Sequence, residues 1–239
     1  MPSVKSQPSK STSRVEDRSP LPGSGATAKR LVLLDARAQR IKRILDVLSA
    51  AALLVLALPF MLAIAIAIPL ETRGPVFFAH TRVGKGNRRF KLWKFRSMVI
   101  DADAVLEHYL EQHPDLLSEW STTHKLKDDP RVTRVGRLLR RSSLDELPQL
   151  WNVLRGDMSM VGPRPIVEDE IPKYGPVFSL YSQVPPGLTG LWQVSGRNDM
   201  SYRRRTELDS QYVQNWSLWT DLVVLVKTVR VVLFGHGAY

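Results

Sequence analysis

The alternation of apolar and polar positions divides the chain into three stretches. Residues 1 to 29 are rich in Ser, Pro, Gly, Thr and Lys and contain almost nothing large and apolar. Such a stretch cannot bury enough surface to offset its ordering entropy, which predicts a disordered tail. From Lys29 to Arg43 the charge changes character. Arg37, Arg40, Lys42 and Arg43 interleave with Leu, Ala and Ile, which predicts a basic amphipathic helix. Val47 to Leu70 then run without a single charge, between Asp46 and Glu71. At about 1.5 Å per residue, a continuous helix of that length crosses a hydrocarbon core of about 30 Å. Pro59 falls in the middle, where it removes a backbone hydrogen bond and kinks the helix. Each half is then too short to span. Both flanks are also basic, with Arg40, Lys42 and Arg43 before the run and Arg73, Arg82, Lys85, Arg88 and Arg89 after it. The positive-inside bias therefore sets no orientation and holds both ends on the cytoplasmic side. A helix that enters, breaks at Pro59 and returns to the same face satisfies both observations, and a spanning helix stays open beside it. Ala63, Ala65 and Ala67 mimic a signal-peptidase site, but the leader before the apolar run is too long for a secretory signal.

The remaining stretch, 74 to 239, has the pattern of a soluble mixed domain. Val76 to Phe78 and Phe90 to Trp93 predict short strands around the turn Gly84-Lys85-Gly86-Asn87. Asp101 to Gln112 predicts a helix with acids at its start and Pro114 beyond its end. Glu146 to Arg155 predicts another, stopped by Gly156. Leu218 to Phe234 places Leu222, Leu225, Val226, Val229 and Leu233 on one face and Lys227 and Arg230 on the other. That face belongs either to the core or to a membrane interface. Gly187-Leu188-Thr189-Gly190 and Gly196 predict tight turns or close backbone approach, with Trp192 between them as a core residue or a stacking platform. No internal repeat is present.

Composition narrows the chemistry. The 239 residues, 44% hydrophobic, suffice for one sizeable domain with appendages. The absence of cysteine excludes a disulfide scaffold, an iron–sulfur protein and a thiolate zinc site. Lys and Arg number 34 against 23 Asp and Glu, and the resulting charge of +11 calls for an anionic partner. Nucleic acid, an anionic membrane surface and a phosphate-bearing substrate all qualify. No G-x-G-x-x-G, P-loop, H-E-x-x-H or G-x-S-x-G occurs, and the five histidines lack metal-ligand spacing.

What remains is a carboxylate pair in a basic setting. Asp145 and Glu146 follow Arg131, Arg134, Arg137, Arg140 and Arg141. With Asp145 as helix N-cap, Pro148 occupies the third helical position, where no backbone N–H is needed. The alternative cap is Ser143 in an S-x-x-E box with Glu146, which makes Pro148 delete a helical bond. Taken alone, an ordinary capping Asp and a first-turn Glu account for the pair. Cations in short, rigid or aromatic settings add weight to a phosphate site: Lys94-Phe95-Arg96-Ser97, Arg141 and Pro163-Arg164-Pro165.

These residues also carry a resemblance. Lys42-Arg43-x-x-Asp46, Gly74-Pro75-Val76-Phe77-Phe78, Lys94-Phe95-Arg96-Ser97-Met98 and Ser143-Leu144-Asp145-Glu146-Leu147-Pro148-Gln149 occur in order. Asn152-Val153-Leu154-x-Gly156-Asp157-Met158-Ser159, Val161-Gly162-Pro163-Arg164-Pro165 and Pro186-Gly187-Leu188-Thr189-Gly190 follow. From about residue 40 to the C-terminus, the chain resembles the bacterial sugar transferases, the monotopic phosphoglycosyl transferases that start exopolysaccharide and O-antigen synthesis. His80-Thr81-Arg82-Val83-Gly84, Lys125 to Pro130 and the ending Gly237-Ala238-Tyr239 most resemble the members that transfer galactose-1-phosphate to begin succinoglycan synthesis. One departure is that Leu58 precedes Pro59, where some relatives have Ser.

The resemblance implies a mixed α+β, helix-dominated monotopic membrane protein. Its parts are a disordered tail (1–29), a basic amphipathic segment with a Pro-broken re-entrant helix (30–73), and a small cytosolic catalytic domain (74–239). The implied reaction moves a hexose-1-phosphate from a UDP-sugar to undecaprenyl phosphate and releases UMP at the cytoplasmic face of the bacterial inner membrane. Asp145 is implied as nucleophile, forming an aspartyl-phosphosugar intermediate, and Glu146 as the Mg²⁺ ligand. Lys94, Arg96, Arg141 and Arg164 are the candidate phosphate contacts. A carboxylate approaching a diphosphate is repelled, so the reaction needs such cations. Anionic lipid is a further expected partner and nucleic acid is not, since no recognition helix or aromatic sheet motif appears. The rival readings are a membrane-tethered nucleic-acid-binding protein and a non-catalytic polysaccharide scaffold. Galactose over glucose rests on the resemblance alone, and a homo-oligomer stays open.

Overall fold

A single long helix carries the apolar run. Asp35 starts it by accepting hydrogen bonds from the amides of Arg37 at 2.9 Å and Ala38 at 3.4 Å, and α1 extends from Ala36 to Glu71 with Pro59 and Pro69 inside it. The computed structural model describes residues 35–123, 126, 128–196 and 200–234; the predicted tail 1–29 and the Gly-Ala-Tyr ending lie outside them. α1 is long and apolar enough to cross a membrane. Its middle is bare, with Val55, Leu56, Phe60, Leu62 and Ile66 all exposed.

Both ends of α1 are held by the rest of the fold. Near the start, Lys42 pairs with Asp221 at 2.6 Å, and Asp46 accepts from Ser159 Oγ at 2.8 Å and the Met160 amide at 3.0 Å. Arg43 donates to the carbonyls of Val153 and Leu154. The Lys-Arg-x-x-Asp motif is therefore three anchors on one helix face, which the i, i+1, i+4 spacing allows. Near the end, Ile64 and Ile68 pack against Phe95 and Leu139.

The Gly84–Asn87 turn joins β1 (Phe77–Val83) to β2 (Arg89–Phe95) in an antiparallel hairpin, with Phe78 opposite Lys94 and Arg82 opposite Phe90. The strands are those the pattern predicts but longer, β1 growing toward the turn and β2 at both ends. α2 (Ala102–Gln112) and α3 (Leu117–Thr123) follow, with Leu106, Leu110 and Leu126 forming a small core of their own.

α4 (Arg134–Ser142) starts at Thr133, whose Oγ1 accepts from the Gly136 amide at 2.9 Å, and ends at Ser143 in the left-handed conformation with φ 57°. A 3₁₀ turn over Leu144–Glu146 leads to α5 (Gln149–Arg155), which Gly156 closes at φ 90°. The predicted helix over 146–155 therefore begins late. Asp145 is not its cap, and neither is Ser143, since position and hydrogen bonding give that place to Pro148. The reason is the left-handed Ser143: it turns the chain sharply enough that Asp145 points inward, before helical bonding resumes.

β3 (Ser159–Val161) and β4 (Gly187–Thr189) pair in parallel, with α6 (Ile171–Tyr174) and α7 (Phe178–Tyr181) between them. A Cβ on Gly187 would overlap the Gly162 backbone, so the predicted close approach is real. α8 (Tyr202–Gln214) and α9 (Leu218–Phe234) complete a helix-dominated, mixed α and β fold. The main core joins Ala50 of α1, Leu92 of β2, Leu150 and Val153 of α5, Val161 of β3, Tyr212 of α8 and Val224 of α9. On α9, the predicted apolar face is not the core face: the main core contact comes from Val224, outside that face, with Leu225 half-buried beside it. Val224 is buried, while Leu222, Val226 and Val229 are exposed, as is Trp219.

Candidate active site

Asp145 and Glu146 meet Lys94 between the hairpin and the 3₁₀ turn. Lys94 Nζ lies 2.6 Å from Glu146 Oε1 and 3.4 Å from Asp145 Oδ2. Asp145 is only 7% exposed, and among the described residues its Oδ1 accepts no hydrogen bond. Its position follows from three local devices. Ser143 reverses the chain, Leu144 and Leu147 pack into the small core with Phe95, and Gly136 lets α4 lie against the strand segment at Ser97. Lys94 is placed by the register of β2, which Asn152 fixes from α5. The fully buried Asn152 amide accepts from the Trp93 amide at 3.1 Å and donates to the Lys91 carbonyl at 2.7 Å.

The electrostatics of the trio are coupled. Burial pushes the Asp145 carboxyl above its ordinary value, Lys94 pulls it back, and the neighbouring Glu146 charge raises it further. Burial opposes the Lys94 charge, but Glu146 and then Asp145 outweigh it and raise its pKa. Arg140 adds a second cation. Its Nε donates to Ser97 Oγ at 2.9 Å, and its charge also lowers the Asp145 pKa.

A second basic cluster adjoins the first through Arg82, whose charge is felt by Glu146 as well as by Glu170. Arg164 donates to Glu170 at 2.7 Å and lies 5.9 Å from the ring centre of Trp192, which Arg205 approaches from 5.1 Å. Trp192 is buried, so its ring serves as a platform for guanidinium groups within the core. Among the described residues, Arg82 Nε, Trp192 Nε1, Tyr202 OH and Asp209 Oδ1 are buried polar atoms without a hydrogen-bond partner.

Comparison with known proteins places this arrangement. The model of the bacterial sugar transferase family matches residues 37–235. The chain belongs to the bacterial sugar transferase family. It is 50% identical over 198 residues to the exopolysaccharide production protein ExoY of Rhizobium meliloti, covering 83% of this chain and 88% of that one. It is 49% identical over 199 residues to a UDP-galactose-lipid carrier transferase of Erwinia amylovora, covering 83% of this chain but 42% of that longer one. A UDP-glucose:undecaprenyl-phosphate glucose-1-phosphate transferase of Caulobacter vibrioides is 43% identical over 206 residues, covering 83% and 72%.

Within this sugar transferase, the six residues singled out from the sequence separate into groups. Asp145, Glu146 and Lys94 come together. Arg164 sits in the second cluster. Arg96 is turned away to the end of α1, where it donates to the carbonyls of Thr72 at 2.6 Å and Arg73 at 2.9 Å. Arg141 is exposed, without a side-chain hydrogen bond or ion pair among the described residues. Arg140 takes the inward place instead. Helical spacing carries that signal, because Gly136, Leu139 and Arg140 share the i, i+3, i+4 face of α4 and Arg141 lies a step around it. Arg82 and Glu170 escaped notice because only the tertiary fold brings the hairpin to the 168–170 turn. No group of three or more metal-binding side chains occurs among the described residues.

Proposed function

We propose that this protein transfers a hexose-1-phosphate from a UDP-sugar to undecaprenyl phosphate, the first membrane step of exopolysaccharide synthesis, through a covalent Asp145 intermediate. The observation that carries the reading is the asymmetry of Asp145. A cation orients one carboxylate oxygen, while the other accepts no hydrogen bond among the described residues. An Asp145 oxygen attacks the β-phosphorus and the bond to UMP breaks, with the electron pair leaving on UMP. A phosphate oxygen of undecaprenyl phosphate then attacks the same phosphorus and releases the carboxylate. Two displacements at one centre replace a single encounter of two bulky anions. Lys94 and Arg140 offset the charge on the approaching diphosphate, and Arg82 and Arg164 extend that field toward the rest of the donor. The relatives' names support a UDP-sugar donor and, for the Caulobacter protein, an undecaprenyl phosphate acceptor. Galactose is the favoured sugar.

Asp145 and Glu146 form an oxygen-only donor set that suits Mg²⁺, which commonly binds one or two carboxylates with substrate phosphates completing its shell. Glu146, the more exposed of the two, is the proposed ligand. When bound, Mg²⁺ neutralises diphosphate charge.

The proposed topology rests on α1. Lys42 and Asp46 near its start and Glu71 at its end bind residues of the same fold. This anchoring supports the reading that both ends lie on one face, with α1 bending at Pro59 so that its apolar middle enters the bilayer and returns. That face is cytoplasmic, where UDP-sugars are made, and the acceptor's isoprenoid chain keeps it in the same membrane.

Incubating the purified chain with UDP-galactose, UDP-glucose and undecaprenyl phosphate, and measuring UMP, tests the function. Wild type releases UMP, and Asp145→Asn abolishes both UMP release and phosphosugar-labelled enzyme. Full turnover by Asp145→Asn removes the nucleophile. No UMP from the wild type with any UDP-sugar leaves a scaffold as the reading.

A further inference from the structure

The end of α1 is bonded to both elements that carry the site. Glu71, its last residue, accepts from the Arg134 amide through Oε1 at 2.6 Å and from the Val135 amide through Oε2 at 2.8 Å. These amides open α4 and have no partner within that helix. One and two residues on, the carbonyls of Thr72 and Arg73 receive the Arg96 guanidinium, which is 7% exposed. Arg96 directly follows β2, two positions beyond Lys94, and α4 leads through Ser143 to Asp145.

We propose that Glu71 and Arg96 are positioning residues, a clamp through which the end of the apolar helix sets the Lys94–Asp145 geometry; this rests on the function given above. Helix capping alone does not account for Glu71. Thr133 already caps α4 locally, whereas Glu71 reaches α4 from 63 residues away and ties it to another element. Phosphate binding does not account for Arg96, because its terminal nitrogens are committed to two successive carbonyls. A guanidinium spans both acceptors, and an ammonium at the same place does not. A displacement of about 1 Å at a reacting group costs on the order of 100-fold in rate.

The test uses full-length Glu71→Gln, Arg96→Lys and, as a control that loosens α4 at an exposed position away from α1, Leu138→Gly. The first two lower kcat for UMP release by about 10- to 100-fold and leave KM for the UDP-sugar within about twofold. Leu138→Gly lowers the melting temperature but leaves kcat within about threefold. A raised KM with normal kcat in Arg96→Lys makes Arg96 a substrate contact and overturns its part in the clamp. Equal kcat losses in Glu71→Gln and Leu138→Gly reduce Glu71 to a stabiliser of α4. Hydrogen exchange gives a readout independent of turnover: the 143–147 amides exchange faster in Glu71→Gln and Arg96→Lys than in Leu138→Gly. Unchanged exchange there overturns the clamp, whereas a wild type that releases no UMP overturns the functional reading instead.

Discussion

Asp209 shows how much one buried carboxylate can weigh in this fold. It is 2% exposed, accepts from Tyr174 OH at 2.8 Å and from the Arg164 amide at 3.4 Å, and among the described residues its Oδ1 has no hydrogen-bond partner. Burial drives its pKa from 3.8 to about 7, against the pull of those hydrogen bonds and of the Arg164 charge. The native chain therefore holds a proton between those two values that the unfolded chain has lost. Stability from this group is greatest at the acid end of the window and falls as pH rises through 7, by on the order of 4 kcal/mol at full ionisation. Asp209→Asn removes that dependence. Its melting temperature relative to wild type is expected to climb between pH 5.5 and 8.5 in thermal denaturation, and a difference that stays constant with pH would refute the buried proton. Asp145 shares the upward direction but has Lys94 and Arg140 to counter it, so it is the better prepared of the two to carry charge.

Among the elements, α4 bears most directly on the site. It is short and rich in arginine, and alone in water it has little reason to be helical. It persists because Thr133 and Glu71 satisfy its first amides and because it lies close against the Ser97 backbone. That approach demands glycine at 136, where a Cβ would overlap the Ser97 carbonyl oxygen. Gly136→Ala is therefore expected to destabilise the protein by about 1–3 kcal/mol despite its favourable helix propensity, read by chemical denaturation. A neutral or stabilising result would mean that α4 does not sit against Ser97. α9 makes the opposite point, since its burial does not exhaust its apolar residues. Leu222, Val226 and Val229 remain uncovered beside the basic Lys227 and Arg230, the arrangement of a helix at a lipid–water interface.

For the whole molecule, the proposed single membrane face is the reading to test, and the anchoring of both ends of α1 to one fold is what supports it. The chain has no native cysteine, so introduced thiols report topology cleanly. Arg37→Cys and Arg73→Cys, at the two exposed ends of α1, are expected to react with an impermeant maleimide from the same side of sealed inner-membrane vesicles. Reaction of only one before lysis would establish a spanning helix. The charge of +11 also takes on a spatial sense. Lys42, Arg43 and Arg96 are bound internally at the two ends of α1, while Lys94 and Arg164 pair with Glu146 and Glu170.

By itself, the sequence determined the apolar run, the hairpin, α2, the closure of α5 at Gly156 and the adjacent acids Asp145 and Glu146. Each is encoded locally, in periodicity, turn residues or unbroken motif blocks. Tertiary structure alone decided that Asp145 is a buried inward side chain rather than a helix cap, because a left-handed Ser143 and the packing of Leu144 and Leu147 outweigh the local capping preference. It also decided that Arg140 faces the site in place of Arg141, and that Arg96 binds the end of α1. Arginine looks the same in sequence whether it meets phosphate, carboxylate or carbonyl; only the packing of distant segments supplies the acceptor.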